Sequence, residues 1–205
     1  MFRGFEAWIG GAIFVYALIL SGSMLISLAI PYVVLRMRDK GSPSPDPQIG
    51  IKSALYYFFS VGIILVLTGL TTLVMDVLVG KGPPAPGGGL NDFQRASLGV
   101  MTAGMICAFL HLGLIKGMTD DRNPMARRIF AGWRLAIHGM VVVITITILL
   151  GVVFQKDFGG DSMKDFRKQL LGILLVWVPS WLLHLVLVGI YSRPLYEPRR
   201  PIHDD

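Results

Sequence analysis

Cysteine is almost missing from this sequence. Cys107 is the single one, so no internal disulfide is available and the redox compartment leaves no trace. Charge is scarce as well: Asp, Glu, Lys and Arg make up 16% of the residues, too few to cover the surface of a soluble domain. No internal repeat is present, and an odd number of apolar blocks fits poorly with a transporter built from two inverted halves. Polar stretches are short, which leaves no room for a separate soluble domain. That argues against a hydrolase, a kinase or a nucleic-acid binder, and no residue is assigned a catalytic role. The glycine-rich run from Gly80 to Gly89 lacks a strand–turn–helix context and a following Lys-Ser/Thr, so it is not read as a phosphate cradle.

What is abundant is apolar surface. Hydrophobic residues make up 53% of the chain and the mean hydropathy is +0.62. The excess falls in five blocks, Trp8–Leu35, Ala54–Val79, Ala96–Ile115, Ile129–Phe154 and Leu170–Tyr191, each long enough to cross a bilayer as a helix. Inside them the only formal charges are Asp76 and Arg134. The expected fold is therefore an all-α integral membrane protein, one domain over residues 1–205 made of five transmembrane helices. The first block is too long for a signal-peptide core and no A-x-A pattern closes it, so it is expected to be retained. The net charge of +6 lies in the connectors and tail, where it reports membrane orientation and headgroup contact.

Orientation follows from the Lys/Arg asymmetry of short loops. One side carries Arg36, Arg38, Lys40, Lys52, Lys116, Arg122, Arg127, Arg128, Arg193, Arg199 and Arg200. The other carries Arg3, Lys81, Arg95, Lys156, Lys164, Arg167 and Lys168. Eleven cations against seven place the N-terminus out and the C-terminus in. The expected location is the plasma (inner) membrane of a bacterium. In the fourth connector Phe158, Met163 and Phe166 alternate with charges, which reads as a short segment lying on the outer surface.

Small and hydroxyl residues mark where membrane helices approach closely. The first helix has Ala17, Ser21, Gly22, Ser23 and Ser27; the third has Ala96, Gly99, Ala103, Gly104, Cys107 and Ala108. On the second, Gly62, Gly69, Thr72 and Asp76 share one face. Asp76 lies near the outer end, where headgroup water or a basic partner such as Lys81 or Arg95 is in reach. Arg134 lies about two turns inside the inner rim and has the reach to snorkel to lipid phosphate.

The sharpest clue is three intramembrane histidines on three helices: His111, His138 and His184. With the N-terminus out, all three fall within about one helical turn of the same depth, in the cytoplasmic half. On the fourth helix Arg127, Ala131, Arg134, His138 and Thr145 form one stripe; on the fifth, Trp177, Trp181, His184 and Tyr191 form another. Four readings compete. Neutral histidines serve as interhelical hydrogen-bonding groups. Alternatively, two of them hold haem b, with Arg134 for a propionate and Gly113 and Gly139 making room. A third reading is a transition metal on three imidazoles, with Cys107, Met101 or Met105 as softer neighbours. The fourth is a proton relay or ion path using Arg134.

The leading functional expectation is an integral-membrane subunit that anchors or scaffolds a larger assembly without chemistry of its own. Its partners are the lipid bilayer and other membrane subunits or further copies of itself, and not nucleic acid. The first helix and the tail at Arg199–Asp205 are the expected contact elements. The alternatives are a haem b electron-transfer subunit of a quinone-linked respiratory complex and an oligomeric channel or proton-coupled transporter. The helix count is similar to that of haem-bearing anchor subunits of respiratory enzymes, with no shared motif.

Overall fold

The computed structural model describes residues 29–41, 46–80, 89–118, 125–154 and 161–192, all helical apart from short turns. The described residues form five helices: α1 (residues 29–40), α2 (Ile49–Val79), α3 (Asp92–Lys116), α4 (Met125–Phe154) and α5 (Asp161–Ser192). Helices α2 to α5 are long and apolar enough to cross a membrane. The expected span from Trp8 lies outside the described residues as far as residue 28; the described part continues past Leu35 to Lys40.

The helices end where backbone chemistry stops them. Gly80 takes a left-handed φ of 65° and its N–H bonds to the Asp76 carbonyl at 2.9 Å, closing α2. Asn91 and Gln94 form a reciprocal capping box at the start of α3 (2.7 and 3.2 Å). Before α2, Asp46 accepts the Gln48 N–H at 2.9 Å and the Lys52 ammonium at 2.6 Å, while the Asp46 N–H donates to Asp39 at 2.8 Å. Buried charges need such paired, hydrogen-bonded settings, and this one ties α1 to α2. Helix α5 begins at Asp161, so 161–169 is its first two turns and not a separate surface segment; Arg167 there donates to the Val152 carbonyl of α4 at 3.1 Å. Phe158 lies outside the described residues.

Two apolar clusters establish an up-and-down arrangement. Leu35, Ile49, Tyr56, Ala126 and Phe130, with Ile115 beside them, join the end of α1, the start of α2, the end of α3 and the start of α4. Arg127 lies 4.6 Å over the Tyr191 ring, which brings the end of α5 to the same rim. Further along, Val142, Val176 and Trp177 pack with Ile64, Leu67 and Val74 of α2. Helix α2 is thus central: α4 and α5 pack on each other and on α2, while α3 packs on α2 alone among the helices α2 to α5.

The α2–α3 contact is made by missing side chains. A Cβ at Gly104 would stand 2.7 Å from the Gly62 carbonyl oxygen and 2.7 Å from the Val66 nitrogen; one at Gly69 would meet Ser97 and Met101 at 2.7–2.8 Å. Such an approach is available only to glycine. The expected small-residue stripe of α3 divides accordingly. Gly104 and Ala108 abut α2, whereas Ala96, Gly99 and Ala103 face outward.

Candidate functional site

Most hydroxyls in the bundle donate to the carbonyl four residues back, as they must where no water is at hand. Ser60 donates to the Tyr56 carbonyl and Thr71 to the Leu67 carbonyl, both at 2.7 Å. Their oxygens keep free lone pairs, and each accepts a donor from another helix. Arg134 Nη1 of α4 donates to Ser60 Oγ at 3.1 Å, and Trp177 Nε1 of α5 donates to Thr71 Oγ1 at 3.0 Å. Both bonds fasten a neighbour to α2.

His138 and His184 meet between α4 and α5. Their ring centroids are 4.3 Å apart with the planes at 85°, and His138 also stands edge-on to Trp177 at 5.3 Å. Ser180 serves both rings. Its carbonyl accepts the His184 Nδ1–H at 2.8 Å, and its hydroxyl lies 3.2 Å from His138 Nδ1. A carbonyl only accepts, so His184 carries its proton on Nδ1. The Ser180 hydroxyl both donates and accepts, so it pairs with either neutral form of His138: donation to Nδ1 puts the ring proton on Nε2, and acceptance from Nδ1–H puts it on Nδ1. His138 Nε2 is buried and has no hydrogen-bond partner among the described residues.

Arg134 lies one turn before His138 on the same face of α4. It is 4% exposed, so it does not snorkel; its guanidinium turns inward, 5.0 Å above the Phe59 ring. Among the described residues no carboxylate lies within ion-pair distance of it, and its Nε is buried without a hydrogen-bond partner.

Of the three histidines, the structure unites two. His111 lies on α3 beside α2, stacks on Phe58 with centroids 5.2 Å apart, and shares a 2.7 Å hydrogen bond with the Cys107 carbonyl. Similar depth did not imply convergence, because α3 reaches only α2 among the other long helices. The three-imidazole metal centre is therefore not assembled, and among the described residues no group of three or more metal-ligating side chains forms. Haem does not fit between His138 and His184 as they stand. Bis-imidazole ligation places iron between two nitrogens, each about 2 Å away, with the macrocycle separating the rings; here the rings touch edge to face. Gly139 makes room for Trp181, whose Nε1 would stand 2.9 Å from an added Cβ, and nothing approaches Gly113 within 4 Å.

Asp76 is held by Gln94, whose Nε2 donates to its carboxylate at 2.7 Å; Arg95 pairs instead with Asp92 at 3.8 Å. Lys81, the first helix from Ala17 to Ser27, and the tail at Arg199–Asp205 lie outside the described residues. Ser60 and Ser180 are the participants that spacing did not single out. The available signal was Ser180 four residues before His184, which places both on one face. No family model, curated protein or solved structure matches the chain.

Proposed function

We propose that this protein is an integral-membrane subunit that anchors or scaffolds a larger membrane assembly and performs no chemistry of its own. The observation that carries the reading is the position of α3. It rests on α2 by close glycine packing and turns Ile106, Phe109, Leu110 and Leu114 outward, with Phe109 70% exposed. Ala96, Gly99 and Ala103 lie on the outward surface too, and small residues admit a second helix at short range. Meanwhile the hydrogen bonds of Arg134, Trp177 and Ser180 fasten α2, α4 and α5 to one another, which is the work of a rigid platform. We place the N-terminus outside and the C-terminus in the cytoplasm of a bacterial cell on the Lys/Arg bias.

Extraction in a mild detergent followed by native mass measurement tests the proposal. The expected particle contains at least one further polypeptide, another subunit or a second copy. A strictly monomeric particle that retains its stability contradicts it. A second reading, a proton-coupled transporter, is favoured by the contiguous file of Thr71, Trp177, His138 and His184. It requires proton uptake by liposomes holding this chain alone.

A further inference from the structure

Interhelical fastening accounts for most of the polar atoms between α4, α5 and α2, and two that it does not use lie on one face of α4. Arg134 Nε and His138 Nε2 are both buried, and both lack a hydrogen-bond partner among the described residues. They lie one turn apart on one face of α4, about 6 Å along the axis. When the Ser180 hydroxyl donates to His138 Nδ1, the ring proton lies on Nε2 and both atoms are donors. Arg134 brings a positive charge with no carboxylate of the described residues within ion-pair distance, beside the apolar Phe59 ring. A buried cation and a buried N–H of this kind are each costly when left alone.

Two chemical classes of ligand are separated by this arrangement. A metal cation at His138 is repelled by the Arg134 charge. An anion meets that charge and, with the His138 proton on Nε2, a second N–H one turn along the same helix face; hydrogen bonds to charged groups are the strong ones. We propose that Arg134 and His138 together bind one oxyanion, a carboxylate or a phosphate, within the bundle. The same chemistry is offered by a phospholipid headgroup and by a soluble anion. The inference does not depend on whether the chain works as an assembly subunit.

The test uses the full chain, stripped of lipid in a maltoside detergent at low salt, with thermal unfolding followed by tryptophan fluorescence. Sodium phosphate, sodium acetate and phosphatidylglycerol are the probes; sodium chloride at equal ionic strength is the control. Phosphate or acetate is expected to raise the unfolding temperature of the wild type in a saturable way, beyond the effect of chloride. A rise with phosphatidylglycerol alone also supports the proposal and assigns the oxyanion to lipid. Arg134→Met is expected to lose the response to every probe. Arg134→Lys keeps the charge and is expected to keep a weakened response, so the proposal stays testable if Arg134→Met does not fold. His138→Gln is expected to weaken apparent affinity about ten- to a hundred-fold, the worth of one hydrogen bond to a charged group. The proposal is overturned if no probe shifts the wild type beyond chloride, or if Arg134→Met is less stable by the same margin with and without probe.

Discussion

Ser60 and Thr71 each give a hydrogen to their own helix and an oxygen to another. In a soluble protein water would compete for both roles; in hydrocarbon no water is present, and the hydroxyl becomes a junction. A double-mutant cycle measures one junction. Trp177→Phe is expected to lower stability by about 0.5–1.5 kcal/mol, and Thr71→Val, which strands the indole N–H, by about 1–3 kcal/mol. The double variant should recover part of the loss, with a coupling of at least about 0.5 kcal/mol in reversible unfolding from mixed micelles. Strict additivity would show that the 3.0 Å bond contributes nothing. The histidines show how far such a site is legible in a sequence. Depth follows from residue count, so the His138–His184 meeting was open to inference. Which way a helix faces around its neighbours does not follow from its own spacing, and His111 was misplaced for that reason. Arg134 was misjudged because length alone permits snorkelling, whereas a hydroxyl on α2 draws it inward.

At the scale of elements, the ends of α2 and α4 at Val79 and Phe154 coincide with the limits of their apolar blocks, and the starts do not. Hydropathy reports the depth of hydrocarbon, while a helix continues until its backbone is capped. Hence α3 begins at Asp92, just after its Asn91 cap and four residues before Ala96, and α5 carries charged Lys164, Arg167 and Lys168 within its first turns. The α2–α3 pair offers the clearest test of an element's attachment. Gly104→Leu drives a side chain into the backbone of α2 at Gly62 and Val66, so it is expected to cost about 1–3 kcal/mol or to detach α3. Gly113→Ala, on the same helix with nothing within 4 Å, is expected to be neutral or to stabilise by about 0.5–1 kcal/mol through helix propensity. Thermal unfolding of the two variants side by side checks the contrast. Equal effects would mean that the close contact is not what holds α3.

At the scale of the whole molecule, the alternation of helix ends makes two rims, and the orientation proposed from the Lys/Arg bias is open to a direct test. Exposed Gly41 and Leu90 lie in connectors at opposite rims. With Cys107 replaced, Leu90→Cys is expected to react with an impermeant thiol reagent added to intact cells, and Gly41→Cys only after lysis. Labelling of Gly41→Cys from outside would invert the orientation. In the proposed account the chain meets other proteins through the surface it turns to lipid, and among the described helices α2 to α5, α3 is the least covered. The most direct measurement replaces Phe109 with a photo-crosslinkable amino acid in living cells. The account predicts a discrete crosslinked product with a second polypeptide, lost when Gly104→Leu detaches α3. Adducts with lipid alone, at Phe109 and at Ile106 alike, would contradict it.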